Sequence, residues 1–109
     1  MKQKVNIAIV GLGQIGNYLF NELRLKKKDI EIKTGKKINI AALSAKNINK
    51  KRKFKINKKI FYKNPLEIFK HKKVDILFES IGLSDGISKK IVETSLKKKV
   101  HVITPNKAL

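Results

Sequence analysis

Val5-Asn6-Ile7-Ala8-Ile9-Val10-Gly11-Leu12-Gly13-Gln14-Ile15-Gly16 decides the reading of the whole chain, because an apolar run passes straight into G-x-G-x-x-G at the start of a helical pattern. Each glycine has a separate physical task in such a turn. Gly11 makes the tight strand-to-helix reversal, Gly13 lets backbone approach a pyrophosphate with no Cβ in the way, and Gly16 lets the helix pack closely. The helix N-terminus then offers unpaired N–H groups and a partial positive charge to phosphate oxygens. By itself G-x-G-x-x-G is a weak signal. Its context strengthens it: the residues before it read as a buried parallel strand, and Ile15, Leu19, Phe20 and Leu23 follow at helical spacing.

Working outward, the pattern predicts a first strand over Lys4 to Val10 and a first helix over Gln14 to Lys26, with Asn17, Asn21, Glu22 and Arg24 on its polar face. Asp29 to Lys37, containing Gly35, reads either as a continuation of that helix followed by a turn or as an irregular connection. Ile38 to Leu43 reads as a second strand, Lys46 to Lys59 as a mobile, highly charged loop, and Ile60 to Tyr62 as a short strand. Asn64-Pro65 is a helix start, with Asn64 as N-cap and Pro65 in the first helical position, leading a short helix through Phe69. Val74 to Phe78 reads as a strand. Asp85 to Lys98 reads as a helix whose apolar side is Ile87, Ile91, Val92 and Leu96, and Val100 to Thr104 as a last strand. Strands alternating with helices call for a parallel sheet with right-handed crossovers, that is, an α/β Rossmann-type doubly wound sheet.

Composition sets limits. At 109 residues the chain has room for one modest core, and the absence of cysteine excludes disulfides, thiolate catalysis and cysteine-ligated metal. His71 reads as exposed and inert and His101 as a strand position, so the two histidines make no metal site. The apolar run at the start is too short for a membrane span and lacks a secretory cleavage pattern, which suits a cytoplasmic protein. The formal net charge of +19 suggests nucleic acid at first sight. Only Arg24 and Arg52 are arginines, however, whereas bidentate recognition of bases and phosphates favours the guanidinium. The excess reads as a solvated lysine surface with no specific nucleic-acid partner. Nonspecific attraction to polyanions at low salt would be its one consequence.

Three segments together carry a more specific likeness: the glycine turn, Val74-Asp75-Ile76-Leu77-Phe78-Glu79-Ser80-Ile81-Gly82, and His101-Val102-Ile103-Thr104-Pro105-Asn106-Lys107-Ala108-Leu109. From Val5 to Leu109 the chain resembles the N-terminal nucleotide-binding domain of homoserine dehydrogenase, and the last segment is the one that separates that family from other Rossmann enzymes. The resemblance implies an NAD(P)-dependent oxidoreductase that interconverts aspartate 4-semialdehyde and homoserine, on the way to threonine, methionine and isoleucine. It implies that Leu12, Gly13, Gln14 and Ile15 hold the pyrophosphate and adjoining ribose, that Ile81 and Gly82 lie beside the nicotinamide, and that Lys107 is a catalytic cation close to cofactor and substrate. It also implies an acidic substrate-binding residue and a proton-donating lysine in a following domain that supplies most of a homo-oligomer interface.

The expected domain is therefore residues 1–104, with 105–109 opening a connection to a catalytic domain, and a sheet truncated at its C-terminus. Such a chain would bind cofactor and would not catalyse alone; small-molecule substrate would need the other domain. The chain departs from the family where glycine and lysine often precede the histidine and Lys99-Val100 stand here. Lysine in place of a helix-ending glycine is mildly unfavourable. For the cofactor, the second strand ends Leu43-Ser44-Ala45-Lys46 and offers no carboxylate to a ribose. Ser44 and Lys46, helped by Lys50 or Arg52, suit a 2′-phosphate, which favours NADP over NAD. Glu79 reads either as a cofactor-side group or as a structural carboxylate bonded to nearby backbone. The residues leave two alternatives: a standalone nucleotide-sensing or polyanion-binding module, and an aspartate dehydrogenase-like domain.

Overall fold

The structure, a computed structural model, describes residues 3–45, 58–81 and 86–104. Strand β1 (Gln3–Val10) leads into helix α1 (Gln14–Leu25), a second helix α2 (Lys27–Thr34) and strand β2 (Lys36–Ser44). A 3₁₀ turn at Lys58–Ile60 precedes β3 (Phe61–Tyr62); another at Pro65–Glu67 runs into the one-turn helix α3 (Ile68–His71); then come β4 (Ile76–Glu79), α4 (Gly86–Lys97) and β5 (His101–Ile103). The described strands form one sheet in the order β3-β2-β1-β4-β5, and every neighbouring pair is parallel. This order reverses between β1 and β4. In an open parallel sheet that reversal opens a crevice beyond the carboxyl ends of the two strands.

Both faces of the sheet are covered, as an all-parallel sheet requires. Alternate residues of β1 face opposite sides. Ala8 and Val10 join Ala42, Ile68, Val74, Leu77, Ile91 and Val100 in one buried cluster, under α3 and α4. Ile7 and Ile9 join Leu12, Phe20 and Leu43 in the other, under α1. The β1–β2 register slips between Ile7 and Ala8, which pair with Ile40 and Ala42, so Ala41 is an extra residue on β2. No helix among the described residues is long and apolar enough to cross a membrane.

The predicted strands and helices are present with ends shifted by up to two residues, β4 beginning at Ile76 and not Val74, and four differences have a structural reason. The stretch after α1 is a distinct helix: α2 buries none of its residues, so it shows no apolar period in sequence, and it ends at Gly35 in the left-handed region, φ 71°. Strand β2 consequently begins at Lys36, two residues before Ile38. The helix after Asn64 starts as a 3₁₀ turn; Asn64 does cap it, its side chain accepting from the Leu66 N–H at 3.0 Å. Finally, Leu96 is exposed and Ser95 fully buried. Ser95 is four residues past buried Ile91, on the same face, whereas Leu96 is turned away by about 140°. The Ser95 hydroxyl donates to the Ile91 carbonyl at 2.7 Å, so its burial leaves no donor unpaired. The predicted mobile loop from Lys46 lies outside the described residues up to position 57.

At the end of α4 the departure in sequence has a visible counterpart. Lys99 adopts φ 59°, and among the described residues no other non-glycine has a positive φ. Its N–H donates to Leu96 and the Val100 N–H to Ser95, at 3.1 and 2.9 Å, the paired bonds of a Schellman ending. Lysine thus holds a backbone position that suits glycine.

Candidate functional site

The carboxyl ends of β1, β2 and β4 meet at the glycine turn. The Gly11 N–H donates to the Ser44 carbonyl at 2.7 Å, tying the turn to the end of β2. On the other side, the Ser80 N–H donates to the Val10 carbonyl at 2.8 Å and the Ser80 hydroxyl to the Gly11 carbonyl at 2.7 Å. The turn is thereby pinned from both neighbouring strands. Inside it, the Asn17 amide donates to the Leu12 carbonyl at 2.8 Å, closing the turn back onto the first coils of α1.

The three glycines differ in what surrounds them. Gly11 has φ 92°, and a Cβ there would lie 2.8 to 2.9 Å from the backbone of Ser80 and Ile81. Close approach of β4 and a conformation strained for other residues both exclude a side chain. At Gly16 a Cβ would collide with the Gly11 carbonyl oxygen and stand 2.8 Å from the Ser80 hydroxyl. The third glycine therefore lets α1 start directly against the turn. Gly13 is the contrast: among the described residues nothing lies within 4 Å of a Cβ placed there. It is the N-cap of α1, and no side chain caps that end. An N-cap serine, threonine or aspartate would normally accept one of the first-turn N–H groups. Here no side chain takes that place, and the helix dipole stands behind the first turn. A pyrophosphate fits this environment: anionic oxygens meet unspent donors, and glycine keeps the approach clear.

The other expected residues fall as follows. Leu12 is buried in the core, 3% exposed, and its carbonyl accepts from the Asn17 amide. Gln14 and Ile15 open α1, and the Ile15 side chain is exposed. Ser44 ends β2 next to the turn and is 2% exposed. Ile81 follows β4 and packs partly against the core. Lys46, Lys50, Arg52, Gly82 and Lys107 lie outside the described residues. Glu79 is fully buried; its carboxyl accepts from the Ile81 N–H at 2.8 Å and from the Thr104 hydroxyl at 2.7 Å. Its role in the fold is thus a structural tie between the ends of β4 and β5. His71 is exposed, its ring stacked 6.1 Å from that of Tyr62.

Sequence reading missed Ser80. A hydroxyl after an apolar run is no signal until β4 is known to lie beside β1, since Ser80 and Gly11 are far apart in the chain. Asn17 was placed only on a polar face, although its position four residues past Gly13 is the spacing that brings an amide back to a turn.

A parallel sheet in this order, with a pinned glycine turn and an uncapped helix end at its point of reversal, defines a dinucleotide-binding domain of the Rossmann class. Comparison with known proteins narrows this. Residues 11–109 match the family described as homoserine dehydrogenase, NAD binding domain, and the chain belongs to that family. A homoserine dehydrogenase of Neisseria gonorrhoeae is 32% identical over 105 residues, which are 96% of this chain and 24% of that protein. One of Bacillus subtilis is 24% identical over the same share of each. A crystal structure of the Staphylococcus aureus homoserine dehydrogenase at pH 6.5 superposes with a TM-score of 0.87 and 30% identity, covering 100% of this chain and 27% of that one. The chain thus spans about a quarter of the length of these relatives, 24 to 27%. The family decides against the aspartate dehydrogenase-like alternative and makes a nicotinamide dinucleotide the cofactor class.

Proposed function

We propose that this chain is the cofactor-binding part of an NADP-preferring oxidoreductase that interconverts L-aspartate 4-semialdehyde and L-homoserine. The observation that carries the reading is the uncapped N-terminus of α1 beside the open space at Gly13, at the point where the strand order reverses. Backbone N–H groups at Gly13, Gln14 and Ile15 hold the pyrophosphate. The bound nicotinamide supplies or accepts the hydride. By the family resemblance, Ile81 and Gly82 would border the nicotinamide ring, and Lys107 would offer a cation to the oxygens of cofactor or substrate, which would keep a carbonyl polarised for hydride transfer. Substrate binding and proton transfer belong to further parts of such an enzyme, which acts as a homo-oligomer in the cytoplasm.

The preference for NADP rests on the end of β2. A site for NAD commonly has a carboxylate there for the ribose hydroxyls, and Leu43-Ser44-Ala45-Lys46 has none. Ser44 and Lys46 suit a 2′-phosphate in its place. Calorimetric titration with NADPH and NADH at moderate and high salt tests both statements, with a thermal melt alongside. Saturable binding that survives high salt, tighter for NADPH, is expected, and Lys46→Ala narrows the difference between the two. Binding that disappears with salt would instead indicate polyanion attraction by the basic surface, because such binding loses affinity steeply as counterions are added. A folded chain that binds neither dinucleotide would overturn the reading.

A further inference from the structure

The buried carboxyl of Glu79 does more than close the core. Glu79 ends β4, is 0% exposed, and among the described residues accepts from the Ile81 N–H at 2.8 Å and the Thr104 hydroxyl at 2.7 Å. Strands β4 and β5 are paired only as far as Phe78 with Ile103, so the Glu79–Thr104 bond continues the connection one step beyond the sheet ladder. It therefore ties the ends of β4 and β5 where the ladder no longer does. On the β1 side the next residue, Ser80, holds the glycine turn. Adjacent side chains of one strand end thus serve opposite sides of the crevice.

We propose that Glu79 and Thr104 form a positioning latch for the nicotinamide half of the cofactor, a reading that rests on the cofactor site proposed above. A dinucleotide lying across the crevice places its adenine ribose toward the end of β2, and its other half falls toward β4 and β5. The latch orients both segments on that side. The Ile81 N–H donates directly to the Glu79 carboxylate. Thr104 directly follows β5, so its hydroxyl fixes the end of that strand against β4. Neither Glu79 nor Thr104 is given a place in the phosphate site. The latch is accordingly separable from it by ligand choice.

The test compares NADPH with 2′-phospho-ADP-ribose, which keeps the adenine half and both bridging phosphates but lacks nicotinamide. Thr104→Val preserves shape and removes the donor. It is expected to weaken NADPH at least fivefold, to leave 2′-phospho-ADP-ribose within twofold of wild type, and to shift the fluorescence emission of bound NADPH. Thr104→Ser, which keeps the hydroxyl, restores both readouts. Glu79→Gln, nearly isosteric, puts the same claim to the test should Thr104→Val not fold, with the same selective loss expected. Equal weakening of both ligands, no weakening of either, or failure of Thr104→Ser to restore NADPH binding would overturn the latch. Wild-type chain that holds 2′-phospho-ADP-ribose as tightly as NADPH would overturn the latch and leave the phosphate site standing. Wild-type chain that binds neither would overturn the cofactor reading and the latch with it.

Discussion

The two edges of the sheet carry similar numbers of polar groups and put them to different ends. At the amino edge, Asn39 donates to the Asn6 side chain at 3.0 Å, the Asn6 N–H donates to the Asp75 carboxylate at 2.8 Å, and the His101 N–H donates to the Asp75 carbonyl at 3.1 Å. This row ties β2, β1, β4 and β5 together. Asn6 lies one residue before the β1–β4 ladder begins at Ile7 and Ile76, and Asp75 takes up the N–H that the ladder leaves over. At the carboxyl edge, Ser44, Gly11 and Ser80 make a comparable row. There, however, α1 begins without a side-chain cap and with free space at Gly13. Polar residues therefore mark both edges, whereas among the described residues a helix start without a side-chain cap and with room at its N-cap marks one. That difference, and not polarity, locates the binding site.

Substitutions at the two edges should separate stability from binding, and their expected effects on stability fall in a clear order. Gly11→Ala combines a positive φ with contact against the backbone of Ser80 and Ile81, neither of which can move aside. A loss of about 3 kcal/mol or more is expected in urea unfolding, from strain and overpacking together. Asp75→Ala at the amino edge leaves the part-buried Asn6 N–H without its acceptor. It should cost about 1 to 3 kcal/mol while NADPH affinity, measured in the folded fraction, stays within twofold of wild type. Weakened NADPH binding there would mean that the two edges are not independent. Lys99→Gly should go the other way, raising stability by about 0.5 to 1 kcal/mol, because relief of the left-handed strain outweighs the added freedom of the unfolded chain. An unchanged or lower melting temperature would show that Lys99 does not carry strain.

Much of the fold was legible because buried parallel strands are written as apolar runs: Val5 to Val10, Ile38 to Leu43 and Val74 to Phe78 need no partner to be recognised. The glycine turn was legible because each glycine answers a local steric demand. Contacts across the sheet were not. Ser80 with Gly11, and Glu79 with Thr104, are 69 and 25 residues apart, and they become neighbours only through the strand order. Helix α2 was left open between a continued helix and an irregular connection for a different reason: with no buried face it has no period to read. Lys99 was conspicuous as a lysine where a helix-ending glycine is usual, and its φ of 59° is the left-handed conformation that suits glycine. The β1–β2 slip at Ile7 and Ala8 leaves no trace in either strand's composition.

The central claim is that the open space and uncapped donors at Gly13 are kept for a phosphate. Gly13→Asp tests it most directly. Gly13 has φ −76° and ψ −157°, extended values open to any residue, and aspartate is a favoured N-cap. The variant should therefore fold with unchanged or slightly higher stability, within about 0.5 kcal/mol of wild type. Its carboxylate would occupy the space, accept the first-turn N–H groups and repel the pyrophosphate. The account predicts at least a hundredfold loss of NADPH affinity in a chain that melts no lower than wild type. NADPH affinity equal to wild type in that folded variant would contradict it.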